Sequence, residues 1–390
     1  MPKNDVRFLR IHPFLIAWPQ LLISAAMIGC IPSVLFAWQT TPQNLEEIRA
    51  AIEGIKTQSG SPAIWAGVVR HQHPTLVVAD GVRKHGENVL VTDEDLIHLG
   101  SCTKAMTSLL AARLVERGDL DWTDTIEQRL PKLSKEIHES FRKVTLEQLL
   151  SHRSGMPANA SNWRSHSRLA DVRETRYQIA KENLHQPPVN VPGSEFLYSN
   201  LGYMVAGMMI EAVTDCSWEQ SIRTEVFEPL GMTSASFGAP GDRKRIDQPW
   251  GHIKTTNWVF LHRDNAAALG PAGTVHCSMQ DWGKFIQVFF SEDHSDFLKP
   301  ETMKRLVTPF KNDSAEYALG WGVFSRDWAE GEAYSHSGSN TMWYCVAWVA
   351  PQRQVAFLAA TNGMQDSTPQ DLDRVMQALI QWHQKNFLSK

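Results

Sequence analysis

Between Ser101 and Glu116 the chain is apolar on almost every side of a helix. Ala105, Met106, Leu109, Leu110, Ala112, Leu114 and Val115 leave no broad polar face. A helix of that kind has to lie inside a folded domain, with other elements packed around it. Gly118 supplies its natural stop. The burial extends to the first turn, so Lys104 goes inward with Ser101 three residues before it.

The flanking sequence supplies the elements to surround this helix. Residues 45–55 have helical apolar spacing, and residues 63–69 and 75–82 are β-rich runs joined by Arg70-His-Gln-His-Pro74, which predicts a hairpin. Further helices are predicted at 144–150, 201–213 and 281–290, with an irregular stretch at 235–275 where Pro, Gly and Asn are scattered. After Tyr317 the texture turns to strands at 318–324, 333–337, 342–350 and 354–361, then a last helix at about 370–384. Strands at both ends with helices between imply an α+β layout within residues 39–390. One antiparallel sheet, flanked by helices, draws on about 42–100 and 317–390, and a mainly helical lobe on about 118–316.

Composition narrows the function. In 390 residues the formal net charge is −4, so there is no basic field for nucleic acid. The run Asp242-Arg-Lys-Arg245 is short, is followed by Asp247, and reads as a solvated loop. Lys3, Arg7 and Arg10 precede an apolar stretch from 13 to 38, the pattern of an export signal, with Leu35-Phe-Ala37 as a candidate cleavage site. The same residues 1–38 are long enough for a membrane anchor, although Pro19, Gln20 and Pro32 interrupt them. Either way the body of the protein is expected to be exported, as a periplasmic, secreted or membrane-anchored protein. An exported setting permits disulfides among Cys102, Cys216, Cys277 and Cys345, without fixing a pairing. Cys102 has no thiol-protease pattern beside it and is expected to be a packing residue. His71 and His73 lack further ligands at a recognisable spacing, so no metal or cofactor is expected.

Three short motifs carry the chemistry. Ser101 and Lys104 share a helix face, and a lysine that loses its charge on burial can take the proton of a serine hydroxyl. The helix start also favours a developing oxyanion. Tyr198-Ser-Asn200 adds a hydroxyl that can shuttle a proton and an amide that can both donate and accept. His336-Ser-Gly338 ends a predicted strand, where glycine allows a substrate backbone to come close and Ser339 can turn its N–H toward an oxyanion. Each motif alone also has an ordinary structural explanation: a capping serine, a buried tyrosine, a strand-end bulge. The Gly-X-Ser-X-Gly string of α/β-hydrolases and the phosphate-binding Gly-X4-Gly-Lys loop are absent.

In this order the motifs resemble the serine β-lactamase and penicillin-binding-protein superfamily, most closely its class C β-lactamase, DD-peptidase and esterase branch. Leu149-Leu-Ser-His-Arg-Ser-Gly-Met156 is similar to that branch's Leu-Leu-Thr-His-Thr-Ser-Gly-Leu segment, and Pro192-Gly-Ser-Glu-Phe-Leu-Tyr-Ser-Asn200 to its Tyr-X-Asn lead-in. Leu319-Gly-Trp-Gly322 and His336-Ser-Gly-Ser-Asn340 also match, and the resemblance runs from about 42 to 385. It implies the β-lactamase/transpeptidase-like fold. It also implies Ser101 as acylated nucleophile and Lys104 and Tyr198 as coupled proton carriers, in an order left open. Asn200, His336, Gly338 and Ser339 would hold substrate, with the N–H groups of Ser101 and Ser339 as oxyanion hole. Two departures stand out. His336 replaces the lysine usual in β-lactamases of the branch, which weakens attraction for a β-lactam carboxylate, because histidine side chains are mostly neutral at pH 7. Pro271-Ala-Gly-Thr-Val-His276 replaces the usual Ala-Gly-Gly-Leu-X-Ser, which leaves one wall of the site open to question. The expected substrate is a D-amino-acid peptide, a β-lactam or an ester. The alternative is a catalytically silent protein that recognises cell-wall peptide or a protein partner.

Overall fold

The structure, a computed structural model, describes residues 42–290, 297–310 and 316–388. The expected signal or anchor at 1–38 lies outside the described residues. The strands are β1 (Ala63–Arg70), β2 (Leu76–Gly81), β3 (Leu96–His98), β4 (Ser236–Phe237), β5 (Gly251–Lys254) and β6 (Trp258–Leu261), followed by β7 (Val275–Ser278), β8 (Gly322–Arg326), β9 (Gly331–Ser339), β10 (Tyr344–Ala350), β11 (Val355–Thr361) and β12 (Gly363–Met364). Six of them form one antiparallel sheet in the order β2-β1-β11-β10-β9-β8, so the two ends of the sequence share it.

The side-chain alternation of the central strands divides the core. On β1, Ala63, Trp65 and Val69 face one cluster while Ile64, Ala66 and Val68 face the other, and β11 splits the same way between Ala356, Leu358, Ala360 and Val355, Phe357, Ala359. All seven residues of β11 are buried, as a strand covered on both faces requires. Helix α1 (Pro42–Ser59) and the C-terminal helix Thr368–His383 cover one face through Ile48, Ile52, Leu372, Val375 and Leu379. The other face meets the apolar helix of the sequence, α2 (Thr103–Arg117), which is preceded by a single 3-10 turn, Gly100–Cys102, and ends at Gly118 in the left-handed conformation. Leu109 and Leu110 on α2 are fully enclosed, and such burial contributes roughly 1.5–3 kcal/mol per side chain.

Two expectations need correction. The stretch 235–275 is not irregular throughout. It holds β4, β5, β6 and the first residue of β7, which belong to two small sheets ordered β12-β5-β6 and β3-β7-β4. Their strands are two to four residues long, too short to show a period. The strand expected at 318–324 begins only at Gly322. Leu319 and Gly320 instead form a buried turn against α2, and Gly320, at φ +86°, would place a Cβ 2.8 Å from the Ala105 Cα. Among the described residues no helix is long and apolar enough to cross a membrane.

Candidate active site

Ser101 sits in the 3-10 turn that leads into α2, and Lys104 lies one turn on, fully enclosed. Lys104 Nζ reaches Ser101 Oγ at 3.1 Å, Asn200 Oδ1 at 2.7 Å and the Ala272 carbonyl at 2.7 Å. All three partners are neutral oxygens, so no hydrogen-bonded carboxylate offsets the loss of water, and only the Cys102 sulfur pulls the other way, by less than burial. Burial therefore drives the Lys104 ammonium well below its usual pKa. Two other buried polar side chains of α2 are also hydrogen-bonded: Thr107 donates to the Pro271 carbonyl at 2.7 Å, and Thr103 Oγ1 accepts from Val275 N–H at 3.2 Å. The segment whose sequence departs from the branch pattern is thus the wall that holds Lys104. The turn just before that segment is pinned by buried Arg176, which donates to the Ala268 carbonyl at 3.1 Å and to the Ala267 carbonyl at 3.3 Å while paired with Glu211 and Glu219.

Tyr198 precedes the helix Asn200–Thr214, which Ser199 caps by accepting from Gly202 N–H at 2.9 Å. The Tyr198 hydroxyl lies beside the Ser101 side chain, and burial keeps the phenol protonated to well above its usual pKa. The Lys104 ammonium group lies 4.8 Å from the centre of the Tyr198 ring. Asn200 faces Lys104, and its Nδ2 donates to Asn159 Oδ1 at 2.8 Å. Behind Tyr198 stands His152, a residue the sequence argument quoted but gave no role. It is held in the left-handed region at φ +60°, its Nδ1 accepts from Ser199 N–H at 3.0 Å, and its ring lies 4.2 Å from that of Tyr198. Burial, followed by repulsion from Lys104 and His336, keeps the His152 imidazole neutral.

The opposite wall is β9. Its residues 331–335 pair with β8, whereas 334–339 are paired to β10 on the other side, so the outer edge beyond Ser335 carries no strand among the described residues. Here β9 runs against the turn that carries Ser101 with no room for side chains. A Cβ on Gly338 would stand 2.0 Å from the Leu99 carbonyl oxygen and 2.8 Å from Ser101 N, and one on Gly100 would stand 2.4 Å from Ser339 N. The backbone of Ser101 and that of Ser339 therefore adjoin, and the strand presents His336 to the cavity. His336 Nδ1 faces the Ser337 carbonyl at 2.7 Å and so donates, which leaves Nε2 to accept from the Tyr317 hydroxyl at 3.1 Å. Neutral imidazole satisfies both contacts.

Ser101, Tyr198, His336, Gly338 and Ser339 all line one cavity of about 430 Å³, and Lys104 and Asn200 support it from behind. Phe196, Tyr317, Phe324 and Tyr344 complete an aromatic rim that the motifs do not announce. Trp321 and Trp343 are core residues. Cys102, Cys216, Cys277 and Cys345 are free thiols; Cys102 and Cys345 meet in the core with their sulfurs 3.6 Å apart. Among the described residues no cluster of His, Cys, Asp and Glu could hold a metal ion.

The beta-lactamase family profile matches residues 48–380. The chain belongs to the beta-lactamase family. It is 27% identical over 305 residues to penicillin-binding protein 4 of Amycolatopsis lactamdurans, covering 73% of this chain and 77% of that protein. It is 30% identical over 287 residues to protein flp of Staphylococcus aureus strain N315, covering 72% of this chain and 56% of that relative's length. Among solved structures, SurE has a TM-score of 0.73 at 21% identity, covering 87% of this chain and 76% of its own, and has also been solved with D-Leu. The β-lactamase/D-alanine carboxypeptidase from Yersinia pestis has a TM-score of 0.69 at 17% identity, covering 87% and 98%. These two likenesses are of fold, which the family member shares: an α+β β-lactamase/transpeptidase architecture.

Proposed function

We propose that this family member is an exported acyl-serine hydrolase that forms its acyl-enzyme on Ser101, with a D-amino-acid peptide or a related ester as acyl donor. One observation carries the reading. Ser101 Oγ meets Lys104 Nζ at 3.1 Å with the Tyr198 hydroxyl beside it, at the edge of a cavity bounded by a stretch of β9 whose outer edge carries no strand among the described residues. A neutral lysine has two hydrogens and one lone pair. The carbonyl oxygens of Asn200 and Ala272 take both hydrogens, which leaves the lone pair for Ser101. Lys104 is then the base for acylation. Oγ adds to the substrate carbonyl carbon as its proton passes to Nζ, and the oxyanion is met by the N–H groups of Ser101 and Ser339. On collapse the scissile bond breaks and the leaving group takes a proton from the Tyr198 hydroxyl, which Lys104 replenishes. Water repeats the sequence and frees Ser101. The substrate backbone adds to β9 as a further strand.

Among the described residues lining the cavity there is no lysine or arginine. A β-lactam carboxylate lacks a cation there, which favours peptide or ester over penicillin. The peptide preference also draws on the D-Leu bound to SurE and the D-alanine carboxypeptidase of Yersinia pestis. The test is a panel of fluorescent penicillin, nitrophenyl ester and a peptide ending in D-alanine, read as turnover and as an adduct on Ser101. Ser101→Ala is expected to lose at least about a thousandfold in turnover. Equal activity in that variant, or saturable peptide binding with no adduct on Ser101, would sink the reading. The export part rests on Lys3, Arg7 and Arg10 ahead of the apolar 13–38; recovery of the full chain in the cytosolic fraction would overturn it.

A further inference from the structure

Behind the cavity lies a polar cluster that touches no substrate. His98, fully enclosed at the end of β3, accepts the Gly100 N–H on Nδ1 at 3.1 Å, one residue before Ser101. Its proton must then be on Nε2, which lies 2.7 Å from Asp264 Oδ1, a close polar contact that is not aligned as a straight hydrogen bond. The same carboxylate oxygen accepts from Asn340 Nδ2 at 3.3 Å. Asn340 follows Ser339 at the end of β9, and its Oδ1 accepts from Met342 N–H at 3.2 Å and Trp343 N–H at 3.0 Å, closing the turn into β10. The next residue of the Asp264 loop, Asn265, donates to the Gly273 carbonyl at 2.8 Å, beside the Ala272 carbonyl that holds Lys104. A carboxylate that is 9% exposed is costly to keep in a core, where an apolar side chain of the same size would pack more stably.

We propose that Asp264 is a positioning residue for acyl transfer. Through His98 it fixes the turn that carries Ser101, and through Asn340 it fixes the end of β9 that carries Ser339, so the two N–H groups converge on one oxyanion. The proposal rests on the hydrolase reading above. It predicts a loss confined to the transition state, because ground-state binding along β9 does not use Asp264.

The test uses the full chain, Asp264→Ala and Asp264→Asn. With a nitrophenyl ester, Asp264→Ala is expected to lose about tenfold to a hundredfold in kcat while KM stays within about twofold. Asp264→Asn keeps an oxygen that can accept from both His98 and Asn340, and is expected to recover part of that loss. Nitrogen NMR of His98 should show the Nε2–H tautomer in the wild type and a mixture of tautomers in Asp264→Ala. A wild type that acylates with a fluorophosphonate on Ser101, matched in rate by folded Asp264→Ala, would overturn the positioning role alone. A wild type with no such adduct would overturn the hydrolase reading and this proposal with it. A fall in kcat and a rise in KM in equal measure would mark a structural residue and likewise overturn the proposal.

Discussion

The two walls of the cavity are built on different principles. One wall consists of side chains, Ser101, Lys104 and Tyr198, whose proposed reactivity is set by what surrounds them. The β9 wall is mainly backbone, placed where Gly100 and Gly338 let two chain segments touch. On the first wall a side chain can be altered and its environment kept. On the second, nearly any addition is a collision. The contrast separates what makes the site reactive from what gives it shape, and substitutions on each wall should fail differently.

Lys104→Arg strikes the first wall and should have the largest effect of the three substitutions argued here. A guanidinium keeps its proton throughout the accessible pH range, so it cannot accept one from Ser101. Loss of a general base costs about 10²–10⁴-fold, and kcat/KM for an ester should fall by that amount. The wild type should also show a pH signature. Activity needs neutral Lys104, so kcat/KM should rise with pH through a midpoint well below the ordinary lysine range. Stability should follow the same sign. The unfolded chain keeps this proton to higher pH than the folded one, so folding becomes more favourable as pH rises between the two pKa values. A wild-type profile flat from acid to neutral pH, or an Arg variant of normal activity, would remove Lys104 as the base.

That asymmetry also explains what could be read from the sequence. Ser101 and Lys104 were legible because three-residue spacing on an apolar helix fixes both their shared face and their burial. The common sheet was legible because the runs at 63–69 and 354–361 are long enough to show strand character. His152 lay in a quoted segment, yet its stacking on Tyr198 depends on a left-handed backbone and on a tyrosine 46 positions later, which no local pattern records. The Ala272 and Leu99 carbonyls were out of reach for a different reason: main-chain atoms carry no residue-type signal. Pairing with distant partners hid β4 and β7, while β5 and β6, which pair with each other as a local hairpin, are too short to show a strand period.

Gly338→Ala strikes the second wall and should come next in size. The new Cβ would meet the Leu99 carbonyl oxygen at 2.0 Å and Ser101 N at 2.8 Å, and both are backbone atoms that cannot swing aside. Overpacking of this kind costs about 1–3 kcal/mol of stability. It also separates the Ser101 and Ser339 N–H groups, and losing one oxyanion donor costs about 10²–10³-fold in kcat. We expect about the lower figure, because the displaced strand can still supply partial contact. The diagnostic feature is the combination. Lys104→Arg should lose activity without a collision at β9, whereas Gly338→Ala should lose melting temperature and kcat together. A Gly338→Ala variant with the melting temperature and kcat of the wild type would show that the two segments do not touch.

Tyr317→Phe tests the join between the walls and should have the smallest effect. Tyr317 is enclosed, and its hydroxyl donates to His336 Nε2 at 3.1 Å. The substitution removes that donor and leaves the imidazole fixed only by the Ser337 carbonyl. Neither the Ser101–Lys104 contact nor the close approach of Gly338 involves Tyr317, so the chemical step should be nearly untouched. What changes is the orientation of the ring that β9 presents to the substrate. One net hydrogen bond is worth about 0.5–1.5 kcal/mol, which corresponds to about twofold to tenfold in affinity. The expected result is therefore a KM raised by that factor with kcat held, measured on the same ester panel. A fall in kcat with KM unchanged would place His336 in proton transfer instead, and the β9 wall would then share in the reactivity assigned here to Lys104 and Tyr198.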